Sequence, residues 1–385
     1  MLIFVLCAIA QQDSSSSAPT KLKKWELHGY IKDLETVNLS GGANNILTNN
    51  LIHNRINFHW FPVTGLTFVF EARTRIYFGS LINASPGFGT ALNNSSNDIY
   101  KMSVLIVNER SFIFQTMLDR AFVDFTRGKW DIKLGRQRIN WGVNLVWNPN
   151  DIFNAYSFYD FDYEEHPGSD ALRVTYYCNT NSSIELAGKI ATRTDQIVAA
   201  ALYKFNRKQY DFQFIGGVAH RDLVAGWGWA GHLGGAGFKG EMSFFQPYSK
   251  PFDTVGNFSG SISVDNVFKN NWYLNVSFLY NSGGGMRANL GDITAIAISA
   301  KNLYPYRYSL FTEVTYPATP LLNTSLAVIY SPSGDNAVFV NPGISYSIKE
   351  NWDLDLVGQV FMGSFYQSSY KFQGAAIYTR LKWSF

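Results

Sequence analysis

Residues 66–78, LTFVFEARTRIYF, alternate side chains of opposite character with a period of two. Every even-numbered position except Thr74 is apolar, whereas the odd-numbered positions carry Glu71, Arg73 and Arg75. In an extended strand, this alternation puts the apolar side chains on one face and the three charges on the other. The stretch therefore predicts a β-strand between an apolar and an aqueous environment, a pattern that a soluble sandwich would share.

The number of such segments distinguishes the two kinds of sheet. About eighteen stretches alternate in this way, many near the 9 to 11 residues that a tilted strand needs to cross a bilayer. Charged residues make up only 16% of the chain, aromatic residues also 16%, and no apolar run is long enough for a membrane-spanning helix. We therefore predict an all-β fold: a transmembrane antiparallel up-and-down β-barrel of about 18 strands, with 16 as the alternative.

Connection lengths give an independent test of the barrel. Every second connection is short and rich in Gly, Pro, Asn or Lys, as at residues 62–65, 126–129 and 206–209, while most of the others are long. Outer-membrane barrels have short periplasmic turns and longer outside loops. In an antiparallel sandwich, no physical constraint makes short and long connections alternate along the chain.

Both ends of the chain agree with this interpretation. Residues 1–10 resemble a signal peptide shortened at its start, since LIFVLCAIA is apolar and ends in a small-x-small pattern. Residues 11–24 are polar and predict a flexible periplasmic tail, which leaves 25–385 for the barrel. The last residues, YTRLKWSF, alternate and end on Phe385, as the final strands of bacterial outer-membrane barrels do. We therefore expect a location in the outer membrane of a Gram-negative bacterium.

Parity assigns charges of both signs to the lumen in nearly equal numbers. Arg73 or Arg75 could pair with Asp124 across neighbouring strands. The balance argues against a lumen for polyanions, and the net charge of +3 gives no case for nucleic acid. The residues expected to line the pore are Glu71, Arg73, Arg75, Arg120, Asp124, Asp131, Lys133, Arg136, Arg138 and Arg173.

The stretch 135–142, GRQRINWG, breaks the parity of its strand. Continued alternation from Leu134 would turn Arg136 and Arg138 toward lipid, at roughly 2–4 kcal/mol each near the bilayer midplane. We therefore predict a β-bulge at Gly135 that turns both arginines into the lumen. The alternative keeps the strand regular and pairs Arg136 with Asp119 near the outer rim.

The long connection 138–170 is the candidate constriction loop. Outside the barrel, its aromatic side chains would expose apolar surface to water, so we expect them to fold inward, pack against the wall and narrow the pore. The alternative is that they form a compact lid outside the barrel. A Ca²⁺ site is a weaker alternative, because the aromatic spacing does not match an EF-hand loop. The carboxylates of this loop before its last residue, Asp170, are Asp151, Asp160, Asp162, Glu164 and Glu165.

The hairpin that leads into this loop resembles the alginate-export family and related porin-like outer-membrane channels. The matching residues are AFVDF at 121–125, WDIKLGRQ at 130–137 and WG at 141–142. The resemblance implies an export or diffusion channel of about eighteen strands without a cofactor. The charge-balanced lumen departs from alginate exporters and argues against polysaccharide export.

The function predicted from these features is passive diffusion of small hydrophilic solutes. A structural barrel plugged by its own loops and acting as a partner platform is the first alternative, and an outer-membrane enzyme is the second. We expect no enzymatic activity, because the histidines lie in no catalytic motif, and we expect neither metal nor cofactor. Expected partners are outer-membrane lipid or lipopolysaccharide, the solutes themselves, and a homo-oligomer or accessory protein.

Overall fold

The computed structural model of the chain describes residues 23–40, 46–93, 99–155, 168–249, 253–286, 298–364 and 369–385. The predicted signal peptide, nearly all of the predicted tail, and Asp160, Asp162, Glu164 and Glu165 lie outside these residues. Within them, none of the helices has the length and hydrophobicity to cross a membrane.

Nineteen strands of the described residues form one sheet, and eighteen of them close into a barrel. The strands are β1 (Trp25–Ser40), β2 (Ile46–Val63), β3 (Leu66–Phe78), β4 (Ser103–Asn108), β5 (Phe112–Arg127), β6 (Trp130–Gln137), β7 (Ser169–Asn179), β8 (Ser182–Lys189), β9 (Val198–Arg207), β10 (Tyr210–Ala219), β11 (Asp222–Leu233), β12 (Ala236–Pro247), β13 (Asn257–Val267), β14 (Tyr273–Asn281), β15 (Tyr308–Thr319), β16 (Leu322–Ser331), β17 (Ala337–Lys349), β18 (Trp352–Gly363) and β19 (Lys371–Ser384). The short helices are α1 (Ser80–Asn83), α2 (Phe88–Asn93) and a 3₁₀ turn, Thr194–Gln196. The predicted fold class and strand number are confirmed, and the alternative of 16 strands is wrong.

Closure comes from antiparallel pairing of the first and last strands. Tyr30 of β1 lies opposite Ser384 of β19, and the amides and carbonyls of Gly29 and Phe385 exchange two hydrogen bonds of 2.9 Å. Closing the sheet satisfies the edges that an open sheet would leave unpaired. Phe385 therefore belongs to the wall of the barrel itself.

The two ends of the barrel differ in their connections. At the end that we call the turn end, β2–β3, β5–β6 and β9–β10 are joined by two residues each. Gly65, Gly128 and Gln209 there have φ values of 81°, 59° and 64°, which tight hairpins require. The opposite end, the loop end, carries the long connections, including α1, α2 and the segment 138–155 that follows β6.

β4 is the additional strand, and it was not predicted from the sequence. It pairs with the loop-end half of β5, where Ser103 lies opposite Met117, while β6 pairs only with the turn-end half of β5. β6 ends at Gln137, so the wall beyond it would be open. β4 therefore covers the edge that β6 leaves when the chain turns away from the wall.

Candidate functional site

The inward face of β2, β3 and β5 carries a buried network of charges. The guanidinium of Arg55 donates to Glu71 and to Asp119, the latter at 2.6 Å, and Arg73 lies 3.0 Å from the other oxygen of Asp119. Arg55 is 1% exposed and Asp119 4% exposed. Asp119 is the extra residue where the pairing of β3 with β5 shifts register. This bulge lets one carboxylate contact two arginines.

A second row of ion pairs follows the same face toward β8. Lys133 lies 2.8 Å from Asp124, and Arg173 lies 2.8 Å from Glu185. The predicted pairing of Arg73 or Arg75 with Asp124 is wrong, because Lys133 on the adjacent strand is directly opposite Asp124. Eight of the residues predicted to line the pore have inward positions in the register: Glu71, Arg73, Arg75, Arg120, Asp124, Asp131, Lys133 and Arg173.

Arg136 lies on the other face, which corrects the predicted bulge at Gly135. The register of β6 runs through Gly135 without a shift on either side, so Arg136 shares the face of Leu134, which is 61% exposed. The guanidinium nevertheless is 2% exposed, because it donates to both oxygens of Asp170, at 2.8 and 3.0 Å, and to the carbonyl of Tyr100. Pairing and cover by the segment before β4 remove the cost of an outward arginine without a bulge. The register agrees with the alternative prediction of a regular strand, but the partner of Arg136 is Asp170 and not Asp119.

Gly135 has a different role from the predicted one. Its φ is 122°, and a Cβ built there would lie 2.3 Å from the carbonyl oxygen of Ala121 on β5. A side chain at this position would therefore separate β6 from β5. The glycine allows the twisted pairing of the last residues of β6, just before the chain leaves the wall.

Beyond β6 the chain enters the barrel as the segment 138–155, which we call the inner loop. It contacts inward side chains of β8, β10, β12 and β13, whose neighbours of opposite parity carry the exposed apolar groups. The indole of Trp141 donates to Glu185 at 2.6 Å, and Gln213 donates to the carbonyl of Trp141 at 2.7 Å. Ser261 donates to the carbonyl of Trp147 at 2.8 Å.

Glu241 of β12 makes the most contacts with the inner loop backbone. Its carboxylate accepts the N–H groups of Val143, Asn144 and Asn150. Asn144 also bonds to Ser261 and Ser263 of β13. Backbone groups of an irregular segment are thereby satisfied by side chains of the wall, as burial requires.

Apolar contacts hold the inner loop at two places. Trp141 packs edge-on against Phe153, with ring centroids 4.9 Å apart, within a cluster formed with Leu202 and Ile215 of the wall. Trp147 lies 6.1 Å from the ring of Tyr304. Tyr304 belongs to a second inward segment, 298–307, whose Lys301 pairs with Asp222 at 2.8 Å. The inner loop therefore contacts a second loop, which was not predicted.

Arg138 and Asp151 lie together at the root of the inner loop. Asp151 is 1% exposed. Burial raises the pKa of Asp151 to about 7, although the positive charge of Arg138 and the amides of Asn154 and Trp141 act in the opposite direction. Arg138 also lies near Arg120, whose electrostatic environment it affects.

Strand β11, which contacts the inner loop, has a sequence feature that could have indicated this contact. Gly226 and Gly228 occupy alternate inward positions of β11, in the stretch GWGWAG. A Cβ at Gly226 would lie 2.8 Å from Asn150 Oδ1, and one at Gly228 would lie 3.0 Å from Asn150 Nδ2. Glycines on one face of a strand indicate close approach of another backbone. Here they make room for Asn150, which donates to the carbonyl of Trp227 at 3.1 Å.

Open space remains between the inner loop and the turn end. A cavity of about 470 Å³ is lined by Val143 of the loop and by polar wall residues that include Lys204, Asp211 and Gln213. Across the described part of the chain, no group of three or more His, Cys, Asp or Glu side chains is arranged to hold a metal ion.

No protein-family model and no curated protein matches the chain. Solved structures do match it, over nearly its full length. The chain has the fold of the Occ and OprD porins. The match with OccAB4 of Acinetobacter baumannii covers 96% of this chain and 100% of OccAB4, with a TM-score of 0.59 and 10% identity. For OccK11 (OpdR) of Pseudomonas aeruginosa the shares are 94% and 95%, the TM-score 0.58 and the identity 9%.

OprD of Pseudomonas aeruginosa gives the same result. The match covers 94% of this chain and 95% of OprD, with a TM-score of 0.59 and 7% identity. At such identities the likeness concerns the fold alone. The narrower resemblance of the 121–142 hairpin to alginate-export channels stays a prediction.

Proposed function

We propose that the protein is a porin-like channel in the outer membrane of a Gram-negative bacterium, through which small hydrophilic solutes diffuse passively. The shared fold with outer-membrane porins supports this proposal. So does the outer surface: Trp25, Trp130 and Trp272 near the turn end are 59%, 48% and 41% exposed. Aromatic residues at both interfaces are typical of membrane barrels, where they contact the lipid headgroups.

The position of the inner loop inside the barrel is the observation that supports the proposal most strongly. A soluble barrel of this size would fill its interior with apolar side chains, whereas this interior contains ion pairs, a polar loop and a cavity. A loop bonded to the inner wall reduces the free cross-section of the lumen. Large solutes are therefore excluded, and the partly exposed charges Glu71, Lys133 and Arg173 on the inward face contact water and the solutes that pass.

A plugged structural barrel is the alternative that one observation favours. Trp147 of the inner loop contacts Tyr304 of the second loop, so the two inward segments pack against each other. If the two loops together close the barrel, the protein would act as a platform for a partner and would not conduct.

Liposome swelling separates these two functions. Purified protein in proteoliposomes is diluted into isotonic solutions of a pentose, a disaccharide and a larger oligosaccharide. We expect fast swelling with the pentose, slower swelling with the disaccharide and none with the oligosaccharide. Swelling rates equal to those of protein-free liposomes for all three sugars would support the plugged barrel. A heat-denatured sample of the same protein controls for leakage.

A further inference from the structure

Glu241 holds the inner loop by an arrangement in which one carboxylate serves three backbone amides. One carboxylate oxygen accepts from Val143 and from Asn144, the latter at 2.6 Å, and the other accepts from Asn150 at 3.0 Å. The donors lie on both sides of the turn formed by residues 145–149. The carboxylate therefore closes the loop on itself as well as fixing it to β12.

The charge of this carboxylate is balanced by the loop. Glu241 is 1% exposed, and within the described ranges no Lys, Arg or His side chain is among the groups that act on its carboxylate. A buried carboxylate is costly without partners, and charge-assisted hydrogen bonds from backbone N–H groups are the partners that it has here. The three amides, in turn, belong to a segment without regular structure, so they have no partner in a helix or a strand ladder.

Neighbouring side chains place the same two asparagines and add no charge. Ser243 donates to Asn150 Oδ1 at 2.7 Å, and Asn144 Nδ2 donates to Ser261 at 2.6 Å. These neutral contacts align the loop along β12 and β13. Among the described residues of the wall, Glu241 is the carboxylate that accepts from the loop backbone.

We propose that Glu241 is the positioning residue of the constriction: its carboxylate, acting as an anion in a cradle of three amides, fixes the inner loop in the lumen. The inference rests on the proposed channel function. It goes further in requiring an anion at this point, so that neither the shape nor the polarity of the side chain is sufficient.

Hydrogen exchange tests the cradle itself. In the wild-type protein in detergent micelles, we expect the amides of Val143, Asn144 and Asn150 to exchange slowly. Glu241→Gln replaces one acceptor oxygen by a donor group, so the exchange of these amides should accelerate roughly tenfold to a hundredfold. Fast exchange of the three amides in the wild type would overturn the proposal, even if every variant failed to fold.

Chemical rescue tests the requirement for an anion. Glu241→Ala leaves the amides without a carboxylate, and we expect higher single-channel conductance and larger open-channel current noise than in the wild type. Acetate or propionate in the buffer should lower both toward wild-type values as their concentration rises, whereas acetamide should not. The matched control is Asp353→Asn, because Asp353 of β18 accepts from Ser347 and does not touch the inner loop.

Each outcome of these experiments distinguishes the two proposals. Unchanged conductance and noise in Glu241→Ala, or equal effects of acetate and acetamide, would refute the cradle while leaving a conducting channel. A wild-type protein that does not conduct but has three carboxylate-dependent, protected amides would refute the channel and leave the cradle. Folding of every variant is checked by the shift in electrophoretic mobility on heating that intact barrels show.

Discussion

Single residues on the inward face show how this protein stabilises buried charge. Arg55 is almost fully buried and contacts both Glu71 and Asp119, so each member of the network depends on the others. Buried ion pairs add little net stability, but removing one partner leaves an uncompensated charge. The network therefore matters most when one member is lost.

Replacing Arg55→Met should destabilise the barrel by up to about 3–5 kcal/mol, because Glu71 loses its arginine and Asp119 keeps only Arg73. The measurement is urea unfolding followed by tryptophan fluorescence. The control is Lys133→Met, whose partner Asp124 is equally accessible, with both side chains 23% exposed. A pair at such an exposed position contributes about 0–1 kcal/mol. Equal losses for the two variants would show that the network is not a special source of stability.

Asp151 gives the inner loop a dependence on pH. The pKa of Asp151 is about 7 in the docked loop, against 3.8 for an ordinary aspartate. Between these values the docked loop binds a proton that a released loop does not, so docking strengthens as the pH falls from about 7 toward about 4. We expect larger open-channel noise at about pH 8 than at about pH 5.

In Asp151→Asn the weakening of docking with rising pH that Asp151 causes should be lost, so the noise at about pH 8 should fall below that of the wild type. The variant keeps the shape of the side chain and removes its titration, so it isolates the charge. Wild-type noise that does not change with pH, or an equally steep change in Asp151→Asn, would show that Asp151 does not control docking.

At the scale of elements, the inner loop packs closely against β11 because two inward positions of that strand are glycines. Gly226 and Gly228 leave the space that Asn150 occupies. Gly228→Val should push Asn150 away from β11, loosen the loop and raise both conductance and noise, since overpacking costs typically 1–3 kcal/mol.

The control is Gly216→Val on the neighbouring strand β10. A Cβ at Gly216 meets no atom within 4 Å, so a side chain there has room. Both substitutions put a β-branched residue into a strand, which strands favour. If Gly216→Val alters the channel as much as Gly228→Val does, the fit between Asn150 and β11 is not what holds the loop.

The eighteen strands of the closed wall could be predicted from the sequence, whereas β4 and the docking of the loops could not. Each strand residue shows its face by its own polarity, and each tight turn needs residues such as Gly65 that allow positive φ. In contrast, Glu241 meets Val143 across 98 positions of the chain, and Arg136 meets Tyr100 across 36. A period of two contains no information about such contacts. Gly226 and Gly228 of β11 are the local sequence feature that indicates one such contact, the one with Asn150.

The failure at Gly135 has the same origin. A lipid-facing arginine is costly in an isolated strand, and a bulge at Gly135 would remove that cost. The fold removes it by covering Arg136 with a distant segment and pairing it with Asp170. Parity shows which side a residue takes, but cover from elsewhere decides whether that side is exposed.

The whole molecule combines a closed wall with an inner loop that the wall holds at several points. Strands β8, β10, β12 and β13 each contribute a side chain that bonds to the loop. The wall is stabilised by its own ladders and does not need the loop for closure. The loop is therefore an addition to a complete barrel, and we expect its removal to leave the barrel folded.

The most direct test of this account is single-channel conductance in planar bilayers, measured on the wild type and on a variant in which residues 142–153 are replaced by a short Gly–Ser linker. Heat-dependent mobility confirms that both barrels are folded. We predict discrete conductance steps for the wild type and clearly larger steps for the variant, because the lumen widens when the inner loop is removed. Equal steps in the two proteins, or no current from either, would contradict a channel narrowed by its inner loop.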